Sequence, residues 1–402
     1  MTNIAIFTLT SPLHDEAAVN QATQLFLDSL GLNYVFCGNN YAAYGSHTLD
    51  LIYVRTGGTE GIFQRLMSDL QTKSQRPFLL LTSGESNSLA ASMEILSYLR
   101  QHNLKGEIIH GTTDYIRQRI GLLMQVAEAR QQLRNCILGI VGDPSDWLIS
   151  SRYDAQVVEQ LTGIRLSHIP MQELLGIVQQ GEVCTTKKCE SCEENIKLSF
   201  PVAYQLYSSL KLLVERHRLN GFTIRCFDLL SAVHNTGCWA LAKLNSEGIV
   251  AGCEGDVPAM LSMMIARALV GHNGFQANPA SINPETGEIV FAHCTIPFDM
   301  VERYELDTHF ESGIGIGIRG YVKPGAVTIF KTSGDLSRWY IAEAELLRSE
   351  AKPGLCRTQL VVRLSDKQQA NYFLTNPIGN HHVVLLGHCR SLLEEFFEEL
   401  TR

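Results

Sequence analysis

Short, almost wholly apolar runs alternate with amphipathic stretches through the first third of the chain. The runs at 4–9, 51–54 and 78–81 have the length of strands and lack the polar alternation of a half-exposed sheet. Such runs are typical of parallel strands that are buried on both faces. Helical periodicity follows the second and third of them, in GIFQRLMSDLQ and SLAASMEILSYLRQ. We therefore predict a βα domain over residues 1–134.

The same alternation resumes after a helical stretch that ends near Asn135. An apolar run at 136–142 predicts a strand, and further strands are predicted near 164–167 and 222–227. Helical patterns separate these runs, and a last strand-like run, IVAGC, leads directly into VPAMLSMMIARALV. Together they predict a second βα domain over residues 135–272.

From Phe275 onward, β runs and turns dominate the pattern. INPETGEIVFAHC is typical of a hairpin with 283–287 as its turn, and several short strand-like runs follow it. Antiparallel strands at this spacing predict a β-barrel-like domain over residues 273–402. The predicted fold class is therefore α/β: two Rossmann-like βα domains with mostly parallel sheets, followed by an antiparallel, β-barrel-like C-terminal domain.

Composition narrows the possible partners and location. Hydrophobic content of 45% and 18% charged residues are typical of a compact protein. A net charge of −8 without any basic block argues against nucleic acid or an anionic membrane surface as a partner. No apolar run reaches the roughly 20 residues of a membrane helix, and the N-terminus lacks the basic region of a signal peptide. The 11 cysteines, mostly in apolar surroundings, favour a reducing cytoplasm.

One carboxylate and several histidines fall at the ends of predicted strands. Glu254 follows IVAGC, His293 ends the hairpin, and the pair His381-His382 begins a later strand. A carboxylate and imidazoles from separate strand ends can hold a divalent metal. Because neighbouring strand residues point to opposite faces, at most one of the histidine pair is expected to be a ligand. In the alternative interpretation, Glu254 caps the following helix, where an anion is favoured, and the histidines are ordinary polar residues.

Two other segments carry polar chemistry. Cys184, Cys189 and Cys192 could bind zinc or an iron–sulfur cluster, or form a loop of reduced, solvent-facing thiols. Glycine-containing loops after two predicted strands, at 55–60 and 82–87, could cradle a phosphate or sugar hydroxyls, or be ordinary βα turns. Neither loop matches a dinucleotide or P-loop fingerprint.

The order of these motifs resembles the L-arabinose isomerase and L-fucose isomerase superfamily. The resemblance covers about residues 220–390 by motif and the whole chain by domain order. The segment CEGD at 253–256 is similar to a Gly-Glu-Gly-Asp segment of arabinose isomerases, which implies that Glu254 binds a metal. FAHC at 291–294 and GNHH at 379–382 resemble the segments with the two histidine ligands, which implies His293 and His382.

One departure from the family concerns its second metal-binding carboxylate. Where the family has Glu or Asp, the segment GFQANP at 274–279 has Ala277 or Asn278. Asn278 can coordinate a metal through its amide oxygen, but it cannot act as a base. Either another group, such as Asp256, Asp228 or Glu311, replaces the lost carboxylate, or the reaction differs.

The resemblance implies a cytoplasmic, divalent-metal-dependent sugar isomerase that interconverts aldose and ketose through an enediol. The metal, expected to be Mn²⁺, would be held by Glu254, Asn278, His293 and His382, with Glu254 or Asp256 as the catalytic base. The resemblance also implies a ring-like homo-oligomer, in which loops of a neighbouring subunit would reach the sugar. The residues expected to contact substrate are Thr56, Glu60, His309, Glu311 and His381. Two alternatives stay open: a sugar- or metabolite-binding protein that does not isomerise, and a lyase or epimerase of enediolate type on the same scaffold.

Overall fold

The structure is a computed structural model that describes residues 4–181 and 200–401. These residues form two compact units. The first comprises the described residues up to Gln131 together with those from Glu395 onward, and the second lies within Gln132–Glu394. The predicted fold class, α/β with two parallel sheets and a C-terminal antiparallel barrel, is confirmed. The division into three domains stays a prediction.

The first unit is built on a parallel sheet. Its strands are β1 Ile4–Leu9, β2 Val35–Gly38, β3 Leu49–Val54, β4 Phe78–Leu81 and β5 Gly106–Ile109, in the order β2-β1-β3-β4-β5. Its helices are α1 Glu16–Leu30, α2 Glu60–Lys73, α3 Ser88–Gln101 and α4 Thr113–Leu133. Alternate residues of β1 pack on opposite faces: Phe7 with α2 and α3, and Ile6 with α1 and α4. This double coverage explains why the strand runs are continuously apolar.

A second parallel sheet opens the second unit. Its strands are β6 Ile137–Val141, β7 Arg165–Ile169, β8 Gly221–Ile224 and β9 Val250–Gly252, in the order β7-β6-β8-β9. The accompanying helices are α5 Ala155–Thr162, α6 Met171–Gln180, α7 Pro201–His217, α8 Asp228–Ala232, α9 Cys238–Ser246 and α10 Val257–Val270.

The same unit contains a closed antiparallel barrel. Its strands, in the order in which they pair, are β10 Phe275–Asn283, β11 Glu288–His293, β16 Thr358–Leu364, β15 Trp339–Glu350, β14 Gly325–Thr332 and β17 His382–Leu386. β12 Arg303–Asp307 and β13 Gly317–Tyr321 form a separate antiparallel pair. The predicted hairpin is present as β10 and β11. The remaining elements are α11 Asn371–Thr375, α12 Arg390–Thr401 and 3-10 turns at Glu85–Asn87, Phe298–Met300 and Lys367–Ala370.

Helix α10 joins the parallel sheet to the barrel. It is apolar almost all round and most of its residues are buried, as expected of a helix covered on every side. It packs against β8 and β9 of the sheet and against β14 and β17 of the barrel. The turn before α10 is thereby brought to the ends of barrel strands. None of the helices in the described residues is long and apolar enough to span a bilayer.

Candidate metal centre

The turn between β9 and α10 holds Glu254 in an unusual backbone conformation. Glu254 has φ +64° and Gly255 has φ +71°, so both lie in the left-handed region. For a residue with a Cβ this costs about 1 kcal/mol or more, and such strain gathers at functional sites. Position 255 requires glycine, because a Cβ there would lie 2.8 Å from the carbonyl oxygen of Asp143. The tight turn presents the Glu254 carboxylate toward the barrel.

Two histidines from the barrel meet this carboxylate. Glu254 Oε1 lies 3.5 Å from His293 Nε2 and 3.4 Å from His381 Nε2. One ligand atom from each residue lies within 4.8 Å of the others, a spacing that suits a single metal ion. His293 ends β11, and His381 immediately precedes β17. Glu254 thus lies beside one histidine from each of two later barrel segments, and the role of these residues as metal ligands stays a prediction.

The charge on Glu254 is stabilised from both sides. Its Oε2 accepts a hydrogen bond of 2.6 Å from the indole Nε1 of Trp147. Burial alone would raise the pKa of Glu254, but its interactions with His293 and His381 outweigh burial and hold the pKa far below its usual range. The carboxylate is therefore ionised and has one oxygen directed at the imidazoles, as a metal ligand requires.

Asp256 is fully buried, and both of its oxygens are engaged. Oδ1 accepts from the backbone N–H of Ala259 at 2.8 Å, so Asp256, and not Glu254, caps α10. Oδ2 lies 2.8 Å from His381 Nδ1 and 3.5 Å from Lys331 Nζ. Burial raises the pKa of Asp256, but Lys331 and His381 lower it to about 2. A carboxylate bound to Nδ1 fixes the imidazole so that Nε2 faces Glu254.

Of the adjacent histidines, it is His381 and not His382 that faces Glu254. The Nε2 of His382 lies 3.0 Å from the Tyr372 hydroxyl, and its Nδ1 lies 3.1 Å from the carbonyl oxygen of Asn380. Its ring packs among aromatic side chains, including Phe373 at 4.9 Å. Burial above all lowers the pKa of His382 to about 3, so the ring is neutral. As expected, only one of the two histidines faces the carboxylate. The sequence resemblance implied His382 as the ligand, whereas in the structure His382 packs in the barrel and His381 faces Glu254.

Two buried polar atoms near the carboxylate lack a hydrogen bond. Asn278 Oδ1 has no hydrogen-bonding partner among the residues that the structure describes, and His381 Nε2 has the 3.4 Å contact with Glu254 Oε1 but no hydrogen bond of good geometry. Buried polar atoms without a hydrogen bond are rare in folded proteins. Asn278 lies on β10 and lines the same cavity as Glu254 and His293. An amide oxygen without a partner and an imidazole nitrogen that faces a carboxylate fit a divalent cation, which would accept their lone pairs.

The cavity beside this centre contains further predicted residues. Counted out to its open mouth, its empty space is about 470 Å³, and His309 and Glu311 both line it. Burial lowers the pKa of His309, whose Nδ1 lies 3.0 Å from the Ser312 hydroxyl. The cavity wall also contains thiols: Cys226, Cys238, Cys253, Cys294 and Cys356.

Other predicted residues lie elsewhere. Thr56 is buried in the first unit, where its Oγ1 accepts from the backbone N–H of Ser11, and Glu60 begins α2. Their role in substrate binding stays a prediction. The cysteine loop of Cys184, Cys189 and Cys192 lies outside the described residues.

Two residues that support the site were not predicted from the sequence. Lys331 is a cation inside the apolar run AVTIFKT, and Trp147 is a half-exposed indole in the loop after β6. A lysine in the middle of a buried strand is itself a signal, because buried lysines need a charged partner. The signal from Trp147 is weaker, since aromatic residues in loops are common.

The chain has sequence relatives, although no protein-family model matches it. It is 24% identical over 267 residues to the sulfoquinovose isomerases of Priestia aryabhattai and Priestia megaterium, which covers 61% of this chain and 59% of each relative. The sulfoquinovose isomerase of Alkalicoccus urumqiensis is 22% identical over 260 residues with the same coverage. The chain thus spans about 59% of the length of the curated relatives it matches.

Proposed function

We propose that the protein is a divalent-metal-dependent sugar isomerase that interconverts an aldose and a ketose. The observation that carries this proposal is the convergence of Glu254, His293 and His381 on one point beside an open cavity. Similarity to sulfoquinovose isomerases supports the reaction class. A cytoplasmic location, a homo-oligomer and a substrate role for Thr56 and Glu60 belong to the same proposal.

The donor set fits a hard or borderline divalent cation such as Mn²⁺. Glu254, His293 and His381 would hold it, with the amide oxygen of Asn278 as a fourth ligand. When bound there, the cation would stabilise the negative charge that develops on the sugar oxygens. Asp256 acts as a positioning residue in this proposal, because its oxygens are already occupied by the Ala259 N–H, His381 and Lys331.

Glu311 is our candidate for the base that moves the proton between C1 and C2. Among the described residues that line the cavity, Glu254 and Glu311 are the carboxylates, and Glu254 is committed to the imidazoles. Glu311 would therefore replace the carboxylate that Asn278 cannot supply. His309, in the same wall, would bind a sugar hydroxyl.

The proposal is tested by incubating the protein and Mn²⁺ with a panel of aldoses and ketoses in deuterated water. A true isomerase forms the partner sugar and, because the migrating proton exchanges with solvent, incorporates deuterium at C1 or C2. Sulfoquinovose belongs in the panel because of the relatives. Absence of product with every sugar, under conditions where Mn²⁺ binds, would contradict the proposal.

Glu311→Gln is expected to lower kcat about 10²- to 10⁴-fold, the usual contribution of a general base, while leaving Mn²⁺ affinity unchanged. The measurement is steady-state turnover on the sugar found by the panel, with isothermal titration of Mn²⁺ alongside. Glu302→Gln is the matched control, since Glu302 is an exposed carboxyl nine residues earlier in the sequence that does not line the cavity. Equal turnover in both variants would remove Glu311 from the mechanism.

The two adjacent histidines make a matched pair of variants. His381→Ala is expected to weaken Mn²⁺ binding at least about 100-fold, because losing a ligand should cost more than the loss of an outer-shell partner. His382→Phe is expected to retain Mn²⁺ binding and to lose about 1 kcal/mol of stability with the Tyr372 hydrogen bond. Elemental analysis and Mn²⁺ titration of both variants measure the difference. If His382→Phe loses Mn²⁺ and His381→Ala retains it, His382 is the ligand.

A sugar-binding protein that does not isomerise is the second candidate, favoured by one observation. Asn278 stands where the resemblance expects a carboxylate, and an amide cannot take up a proton from carbon. Thermal stabilisation by a sugar without product formation would identify this protein class. Product formed by cleavage or by inversion at one carbon would instead identify a lyase or an epimerase.

A further inference from the structure

Two thiols from neighbouring strand ends lie in contact in the cavity wall. Cys226 Sγ and Cys253 Sγ are 3.1 Å apart, although the residues are separated by 27 positions in the sequence. They come together because β8 and β9 are parallel neighbours, with Thr223 paired to Gly252, and each cysteine follows its strand. Both side chains are buried, and both line the cavity beside Glu254.

We infer that Cys226 and Cys253 are an oxidisable dithiol, which a peroxide converts into a disulfide within the cavity wall. This inference goes beyond the proposed function and does not depend on it. The geometry carries it: a disulfide needs its sulfurs about 2.05 Å apart, so the two atoms must approach by only about 1 Å.

The backbone on the Cys253 side is already held in place for this bond. Gln276 binds the Cys253 peptide at both ends, with Oε1 2.9 Å from the N–H and Nε2 3.3 Å from the carbonyl oxygen. On the other side, the Cys226 carbonyl accepts from the N–H of Leu229 at 3.2 Å. Both backbones are thus held by hydrogen bonds, and we expect the sulfurs to approach by rotation of the two side chains.

The reaction balances with hydrogen peroxide as the oxidant. One thiol is oxidised to a sulfenic acid, and the peroxide is reduced to one water. The second sulfur then attacks the first, the S–S bond forms, and the sulfenic oxygen leaves as a second water. Two thiols and one peroxide thus yield one disulfide and two waters. A small-molecule dithiol reverses the reaction by thiol–disulfide exchange.

The bond would tie the loop after β8 to the turn that carries Glu254. Cys253 directly precedes Glu254, so oxidation restrains the metal centre's own turn. A new cross-link over this separation restricts the unfolded chain, and we expect the apparent Tm to rise by roughly 5–10 °C. Dithiothreitol should return it to the starting value.

The experiment treats the whole 402-residue chain with a few equivalents of hydrogen peroxide, alkylates it under denaturing conditions and maps its tryptic peptides. The expected product joins the peptide 226–243 to the peptide 244–267, and dithiothreitol abolishes it. Because the first peptide also contains Cys238, the mapping is repeated in Cys238→Ser protein. The cross-link and the rise in Tm should be absent from Cys226→Ser and from Cys253→Ser.

Cys389→Ser is the matched control, because Cys389 is a buried free thiol that does not line the cavity, and it should retain the cross-link. The inference is overturned if Cys226 and Cys253 are both recovered alkylated, if other cysteines form the disulfide, or if the pair is oxidised only to sulfinic acid. None of these results bears on metal binding or sugar turnover, so they leave the isomerase proposal standing.

Discussion

Glu254→Gln is expected to weaken Mn²⁺ binding at least about 100-fold and to abolish turnover with it. Glutamine keeps the shape of the side chain but removes the negative charge and replaces one oxygen with an amide NH₂. Its single oxygen can either accept from Trp147 or face His293 and His381, whereas the carboxylate does both. Losing a ligand should cost more than the 10- to 100-fold typical of outer-shell changes.

The measurement is isothermal titration with Mn²⁺, supported by elemental analysis of the purified protein and by circular dichroism. Glu288→Gln is a suitable control, because Glu288 forms an ion pair with Arg363 at the far end of the hairpin. We expect the control to bind Mn²⁺ like the wild type. If Glu254→Gln does the same while folded, the centre described here holds no metal.

Asp256→Asn is expected to destabilise the protein by about 3–5 kcal/mol, the usual cost of leaving a buried charge unpaired. Lys331 is 1% exposed, and its ammonium group forms an ion pair with the Asp256 carboxylate. Asparagine can still cap α10 through its oxygen, but its NH₂ group would then face His381 and Lys331. Urea unfolding monitored by circular dichroism measures the change in the free energy of unfolding.

A double-mutant cycle separates the buried ion pair from the cap and the histidine. Lys331→Met keeps most of the side-chain volume and removes the cation, so Asp256→Asn/Lys331→Met should be more stable than Asp256→Asn alone. The two single changes should therefore be strongly non-additive. Additive losses would mean that Lys331 contributes nothing through Asp256.

Much of the fold could be predicted because buried parallel strands and helices have distinct patterns. β1 and β4 were predicted at the bounds that the structure has, since their runs are almost wholly apolar. β15 was not predicted. Its sequence, WYIAEAELLRSE, is rich in alanine, glutamate and leucine, which favour a helix, yet it forms a long barrel strand. Pairing with β14 and β16 overrides this local preference.

The candidate site could be predicted less completely, because it depends on register. Glu254 and His293 stand at strand ends, and a strand end can be read from the sequence. Which of His381 and His382 faces the carboxylate follows from the pairing of His382 with Ala277 in the barrel. A shift of one residue would exchange the two faces. The histidine pair can be recognised in the sequence, but the strand register that determines which of the two faces Glu254 cannot.

The position of α10 limits how the chain can be dissected. A fragment ending near residue 272 would keep the helix but lose β14 and β17, which cover one of its sides. That side is apolar, so the fragment would expose a large hydrophobic surface and would be expected to aggregate. The parallel sheet and the barrel of the second unit should therefore be expressed as one piece, with α10 as their shared interior.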